Sequence, residues 1–240
     1  MALFQSFWFG EAVPPCQGMC MASFVRHGHE YHLYTYEPID LPAGVRRREA
    51  REILPRERVF FYREGPGQGS VAAFANLFRY KLLLGRGGWW VDADVVCLLP
   101  NVPETDFFAG WEDAGTVGTA ILKMPAGHLL AHALWQESER AGTDLVWGET
   151  GPKLITRLVR EMGLEPRLAP SPVGYPVPWG EALAVTDPAR REEVRARVAG
   201  ASFLHLWNEI FRRDCPSGLV SPPEGSYLAE LFERHRATSC

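Results

Sequence analysis

The chain has 240 residues, of which 46% are hydrophobic and 22% charged, and its formal net charge is −4. This composition is typical of a soluble globular protein, and with a pI near 6.0 it gives no support for nucleic-acid binding. No apolar run approaches the roughly 18 residues of a transmembrane segment, and the N-terminus lacks the basic start and cleavage site of a signal peptide. We therefore expect one cytoplasmic domain over residues 1–240, with its five scattered cysteines as reduced thiols.

Strand and helix patterns alternate through the first hundred residues. Two-residue alternation and aromatic runs indicate strands, whereas Pro or Ser at the start and Gly at the end bound the helices. In chain order we predict a strand in LFQSFWFG, a helix from Pro14 to Gly28, a strand in EYHLYTY, a short basic helix in RRREAREIL, a strand in RVFFYR, and a helix in VAAFANLFRYKLLL after Ser70.

The second half continues with the same two kinds of element. We predict strands in DFFAGWE, GTAILKM and ASFLHLW, and helices at His128–Arg140, Pro152–Met162, Arg190–Val198 and YLAELFERH. The alternation in the first half favours an α/β fold with a mostly parallel central sheet flanked by helices.

Two acids interrupt an otherwise apolar strand pattern in GGWWVDADVV. Side chains two apart share one face of a strand, so Trp90, Asp92 and Asp94 should point the same way. An unpaired buried carboxylate costs several kcal/mol or more, and paired carboxylates suit a hard cation such as Mg²⁺ or Mn²⁺ that also holds phosphates. The alternative is a pair of structural acids with partners inside the protein.

The stretch FANLFRYKLLLGRGGWWVDADVVCL resembles the D-x-D block of retaining glycosyltransferases of family 32, which are mannosyl- and α-1,4-galactosyl-transferase-like, and of the clostridial glucosylating toxins. SFWFG, WGETGP and FLHLWN are similar to further segments of that family. The resemblance implies the GT-A nucleotide-sugar-binding fold, with a nucleotide-sugar and metal half at 1–100 and an acceptor-side half at 101–240.

The resemblance also implies which residues contact the donor. Asn76 and Arg79 share a helix face, and Asn76 stands where the family has Asp. For Arg79 and Asn76, the alternative is an arginine that packs between helices and an asparagine on the surface. For Trp8 and Trp90, the alternative is a position in the core. By resemblance, the donor-binding residues are Trp8, Asn76, Arg79, Trp90 and Asp92, and the catalytic residues are Asp92, Asp94 and Arg79.

A third metal ligand is expected from the late segment FLHLWN. An imidazole tolerates Mn²⁺ better than Mg²⁺, so His205 is the best candidate outside the D-x-D, with Asn208 as a further one; the alternative is a histidine packed in an apolar strand. Glu149 is a candidate on the acceptor side, or a surface acid at a helix start. The predicted metal ligands are thus Asp94, Asp92, His205 and Asn208.

The function that the resemblance implies is that of a metal-dependent retaining hexosyltransferase, which moves a sugar from a UDP- or GDP-sugar to an acceptor hydroxyl with Mn²⁺ or Mg²⁺. The acceptor is unknown, and no nucleic acid or transmembrane segment is expected. GPGQGS lacks the Lys of a Walker loop, and there is no G-x-S-x-G for serine hydrolysis. Two alternatives stay open: a catalytically silent nucleotide-sugar or glycan-binding protein of this fold, and a sugar nucleotidyltransferase.

Overall fold

The computed structural model describes residues 1–214 and 221–235. Within them, the strands are β1 (Leu3–Phe7), β2 (Glu30–Thr35), β3 (Val45–Glu49), β4 (Gly88–Val91), β5 (Val95–Cys97), β6 (Ile121–Met124) and β7 (Phe203–His205). The α-helices are α1 (Pro15–Arg26), α2 (Ala72–Arg86), α3 (Leu129–Ala141), α4 (Leu154–Glu161), α5 (Ser171–Gly174), α6 (Arg191–Arg197), α7 (Asn208–Asp214) and α8 (Tyr227–His235). Short 3₁₀ helices, among them Trp179–Thr186, and a π-helical turn at Glu149–Lys153 connect them.

The central sheet has five strands in the order β3-β2-β1-β4-β6. The first four are parallel and β6 runs antiparallel to β4, so the predicted α/β fold with a mostly parallel sheet is confirmed. The chain builds outward from β1 to β2 and β3, then returns to place β4 on the other side of β1. This reversal is a topological switch point, and ligands of open α/β sheets bind outside the carboxyl ends of the strands beside it.

Both faces of the sheet are covered by aromatic layers. Trp89 and Trp90 are consecutive on β4 and therefore point to opposite faces. Trp90 joins the layer under α2, where Phe7 stacks on Phe78 with ring centroids 4.5 Å apart. Trp89 joins the layer under α1, which it shares with Phe203 of β7. These two layers fix β1 and β4 side by side and hold their carboxyl ends in place.

The predictions for RRREAREIL and RVFFYR are largely wrong. The first four residues of RRREAREIL belong to strand β3, which pairs in parallel with β2 over five residues, and only Ala50–Glu52 form a short 3₁₀ helix. RVFFYR forms no strand. Its aromatic side chains pack instead, Phe60 against Phe74 and Phe61 against Phe9, with ring centroids 5.9 and 5.6 Å apart. Strand pairing and aromatic packing across the fold thus override the local pattern in both segments.

The other predicted elements differ less from the observed ones. DFFAGWE forms only isolated β-bridges, such as Phe108 with Lys123, so it is not a full strand. The helix predicted from Pro152 begins at Leu154, after the π-helical turn. Three cysteines are free and buried, and Cys215 and Cys240 lie outside the described residues. None of the described helices has the length and apolar character that crossing a membrane requires.

Candidate active site

The two aspartates lie in a turn at the carboxyl end of β4. Strand β4 ends at Val91, the Asp92 N–H donates to the Ala120 carbonyl at 2.8 Å, and the Val95 N–H donates to the Asp92 carbonyl at 3.1 Å. The prediction of one continuous strand with both acids on one face is therefore wrong, since Asp is unfavourable in strands and favourable in turns. The acids nevertheless lie at the switch point, where a ligand is expected.

Strand β7 brings His205 to these acids. It pairs antiparallel with β5, so that His205 lies opposite Val95, and the Leu206 N–H donates to the Asp94 carbonyl at 3.0 Å. His205 Nε2 lies 3.3 Å from Asp94 Oδ2. One ligand atom from each of Asp92, Asp94 and His205 falls within 4.8 Å of the others. The structure thus assembles three of the predicted metal ligands into one group.

Asp94 and His205 stabilise each other's charged forms. Burial disfavours ionisation of Asp94, but the His205 imidazole and the Asn208 N–H together hold the pKa of Asp94 below its usual value. Burial likewise disfavours the imidazolium, but the Asp94 carboxylate raises the pKa of His205 above its usual value. His205 Nδ1 is buried, and no described residue hydrogen-bonds to it.

Arg79 and Trp90 orient Asp92. Arg79 Nη2 and Trp90 Nε1 each donate to Asp92 Oδ1 at 2.7 Å, and Arg79 Nη1 donates to the Thr119 carbonyl at 2.6 Å. Arg79 is only 3% exposed, so this is a largely buried, charge-assisted pair. No described residue hydrogen-bonds to Asp92 Oδ2, which leaves that oxygen available to a ligand.

Asn208 supports Asp94 from the start of α7. Its backbone N–H donates to Asp94 Oδ2 at 2.8 Å, and its Oδ1 accepts a hydrogen bond from Gln17 Nε2 at 2.7 Å. The side-chain oxygen that would ligate a metal is therefore already engaged. The predicted role of Asn208 as a ligand stays a prediction, and its observed contact is with the carboxylate of Asp94.

The donor-side residues line one cavity of about 670 Å³. Trp8 follows β1, is half-buried, and is held by its Nε1 donating to the Ala12 carbonyl at 2.9 Å. Asn76 is buried one helical turn before Arg79 and packs on Gly151, where a Cβ would lie 3.1 Å from Asn76 Nδ2. Trp90 is 1% exposed and so belongs mainly to the core.

The structure does not bring Glu149 to this cavity. Glu149 is exposed, and its Oε2 accepts a hydrogen bond from the Val146 N–H at 2.9 Å. The neighbouring Trp147 and Gly148 line the cavity instead.

Sequence reasoning missed several residues of the cavity wall. Trp207 is the one non-glycine residue with positive φ (58°) among residues 1–214 and 221–235, a conformation that is sparsely populated and occurs often at functional sites. Its Nε1 donates to the Val177 carbonyl at 2.8 Å. The sequence feature that could have identified Trp207 as a wall residue was its position two residues after His205. The other missed wall residues include Glu112, Trp147 and Trp179.

Comparisons with known proteins find glycosyltransferases that are similar to this chain in sequence and in fold. No protein-family model matches the chain. The lactosylceramide 4-alpha-galactosyltransferases of Homo sapiens and Pan troglodytes are 21% identical to it over 150 residues, which cover 58% of this chain and 42% of theirs. The matched region is thus less than half the length of those relatives.

A solved structure, the PaToxG glycosyltransferase, superposes with a TM-score of 0.50 at 11% identity, covering 69% of this chain and 72% of that one. At this identity the likeness shows the fold alone, which is of the GT-A type. The resemblance expected from the sequence is confirmed, and the chain is glycosyltransferase-like in sequence and fold.

Proposed function

We propose that this protein transfers a sugar from a nucleotide-sugar to an acceptor hydroxyl, with a divalent metal at Asp92, Asp94 and His205 and with retention of anomeric configuration. The observation that carries the proposal is the grouping of these three side chains within 4.8 Å at the carboxyl end of β4. They share a cavity of about 670 Å³ with Trp8, whose indole ring is suited to stack on a nucleobase. Pockets of this size hold small-molecule ligands and cofactors.

The side chains present fit a divalent metal. Two carboxylates and an imidazole are ligands that Mn²⁺ accepts, while Mg²⁺ prefers oxygen alone. Asp92 Oδ1 is occupied by Arg79 and Trp90, and Asp94 Oδ2 by His205 and Asn208. The second oxygen of each carboxylate accepts no hydrogen bond from a described residue. The donor set therefore favours Mn²⁺, with Asp92, Asp94 and His205 as its ligands.

The chain's own residues would prepare the site for an anionic leaving group. A bound divalent cation supplies charge that neutralises the departing diphosphate. Arg79 holds Asp92 in one orientation, and Asn208 does the same for Asp94. Fixed dipoles and charges of this kind need no rearrangement during reaction, which is the main source of electrostatic catalysis.

The test is an incubation with UDP- and GDP-sugars and Mn²⁺, monitoring the release of free nucleotide. We expect release with at least one donor, and its loss both in EDTA and in Asp94→Ala. Binding without turnover would favour a silent sugar-nucleotide-binding protein, and a requirement for a nucleoside triphosphate would favour nucleotidyl transfer. An Asp94→Ala protein that keeps wild-type turnover at saturating Mn²⁺ would contradict the metal site.

A further inference from the structure

Four carboxylates line the cavity, and one of them has no partner within the described chain. Asp92 and Asp94 belong to the metal group, and Glu209 is paired with Arg212 at 2.7 Å. The fourth, Glu112, forms no ion pair with a described residue, and its carboxylate accepts no hydrogen bond from one. A half-buried carboxylate without partners is unfavourable unless a ligand supplies them.

A hairpin fixes the position of Glu112. The Glu112 N–H donates to the Thr116 carbonyl at 2.9 Å, and the Gly118 N–H donates to the Gly110 carbonyl at 3.0 Å. The tip is closed by the Gly115 N–H, which donates to Asp113 Oδ1 at 2.9 Å. These hydrogen bonds therefore fix the backbone at Glu112, and the residue lines the cavity.

Glu112 lies near the metal group but is not part of it. The group of ligand atoms within 4.8 Å of one another contains Asp92, Asp94 and His205, not Glu112. Yet the charge of Glu112 acts on His205 and contributes to raising the pKa of that imidazole. The sugar of a nucleotide-sugar is bonded to the diphosphate, so it must lie beside any metal that holds the diphosphate. Glu112 occupies that neighbourhood.

We propose that Glu112 binds hydroxyl groups of the transferred sugar and so determines which sugar the site accepts. This inference rests on the proposed function, and it adds a specificity residue on a different element from Asn76 and Arg79. A site built to hydrogen-bond a substrate hydroxyl discriminates strongly against sugars that lack it or present it elsewhere, because its polar groups are then left unpaired.

The electrostatics of Glu112 suit that role. Burial raises its pKa to about 7, with Asp113 adding to the increase and His205 opposing it. Its carboxyl group therefore holds a proton more readily than the carboxyl group of a solvent-exposed glutamate does. It can accept a hydrogen bond from one sugar hydroxyl or donate one to another.

The experiment compares Glu112→Gln with a matched control, Asp113→Asn. The control removes one negative charge from the same hairpin and keeps an amide oxygen to accept from the Gly115 N–H. Each protein is assayed with Mn²⁺ for hydrolysis of UDP-glucose, UDP-galactose, UDP-N-acetylglucosamine and GDP-mannose, and titrated calorimetrically with UDP and GDP.

We expect Glu112→Gln to lower kcat/KM for the preferred donor at least tenfold and to reduce the differences in kcat/KM between donors. The affinity for the free diphosphates should change less than twofold, and the control should behave as wild type.

Three results would overturn the inference: an unchanged ranking, an equal loss with every donor, or a weakened affinity for the free nucleoside diphosphate. Glu112→Asp, which keeps the charge and shortens its reach, provides a second variant and should also alter the ranking. If the wild type hydrolyses no donor, the proposed transfer fails, but Glu112 is still tested by calorimetry. Any excess affinity of a nucleotide-sugar over its diphosphate should then disappear in Glu112→Gln, and an absent or persisting excess would refute the role.

Discussion

At the scale of single residues, the site is built from pairs in which one side chain orients another. Arg79 and Trp90 hold one oxygen of Asp92, while His205 and Asn208 hold one oxygen of Asp94. Each pairing leaves a second carboxylate oxygen unengaged by described residues. The arrangement explains why two largely buried acids are tolerated, and it connects the sequence feature GGWWVDADVV to a candidate metal centre.

The Asp94–His205 pair predicts how metal binding depends on pH. The pKa of His205 is raised in the folded apo protein, so the stabilisation from its charge is full below the unfolded pKa of about 6.5 and is lost as pH rises through the folded value. A metal requires the neutral imidazole. We therefore expect Mn²⁺ affinity to rise with pH above about 6.5, with release of a proton.

Calorimetric titration of Mn²⁺ in buffers of different ionisation enthalpy measures that proton. His205→Gln is the control, because it removes the imidazole that must lose its proton before it can bind Mn²⁺, and it should reduce the buffer dependence. Equal binding enthalpies for the wild type in all buffers, after correction for dilution, would show that His205 loses no proton to the metal.

Asn76 and Arg79 predict separable effects on the donor. Arg79→Ala removes two hydrogen bonds of its guanidinium group, each worth about 1.5–3 kcal/mol, and should lower kcat/KM at least about tenfold. Asn76→Asp makes the group an acceptor only, so it should change the ranking of donor sugars more than the affinity for nucleotide. Steady-state kinetics across a donor panel, together with nucleotide titrations, measure both.

Arg79→Lys provides the matched control, since it keeps the charge and loses the planar fork. If Arg79→Ala is as active as wild type, α2 is only scaffold. If Asn76→Asp leaves the donor ranking unchanged, residue 76 lies outside the sugar pocket.

At the scale of elements, the local sequence pattern correctly predicts those segments whose secondary structure does not depend on pairing with another segment of the chain. Helix α2 is predicted over VAAFANLFRYKLLL and spans Ala72–Arg86. The prediction succeeds because the amphipathic pattern of the helix lies within the segment itself. Strand β3 was missed, since its arginine-rich sequence becomes a strand only by pairing with β2.

The same distinction holds for the site. The two aspartates were predictable from their motif, and their turn was not, because it depends on the pairing of β5 with β7. That pairing also places His205 against Asp94. Glu112 carried no local signal, since its approach to the cavity depends on a hairpin closed by backbone hydrogen bonds.

Two glycines at the end of α2 should respond oppositely to alanine. Gly85 is exposed within the helix, and a Cβ there would meet no atom within 4 Å. Gly85→Ala should therefore stabilise the protein by about 0.5–1 kcal/mol. Gly87 has φ of 64°, and a Cβ would overlap the backbone nitrogen of Ala126, so Gly87→Ala should destabilise it by more than that.

Urea unfolding of both variants measures the difference, each serving as the other's control. Destabilisation by Gly85→Ala, or a neutral Gly87→Ala, would contradict the described end of α2 and its approach to the loop after β6.

At the scale of the whole molecule, the switch point joins the two halves of the sequence in one cavity. Trp8 and Asp92 come from the first half, while Glu112, His205 and Trp207 come from the second. The division into a nucleotide half and an acceptor half, and the assignment of 1–240 as one domain, stay predictions. The shared cavity leads us to expect that a ligand bound there stabilises elements from both halves.

Metal and nucleotide should therefore stabilise the protein together. Without metal, the phosphates of UDP or GDP meet the negative charges of Asp92 and Asp94, so binding should be weak. With Mn²⁺ present, a nucleoside diphosphate at about 100 times its Kd stabilises the folded state by about 2.7 kcal/mol. For a chain of this length that corresponds to a Tm increase of about 5–11 °C. Thermal melts with Mn²⁺, with nucleotide, and with both measure the increase, and it should exceed the sum of the separate shifts. Asp94→Ala serves as the control and should lose the combined effect. A nucleotide shift of equal size in EDTA would mean that the diphosphate binds without a bridging ion, and the carboxylate group would then have another role.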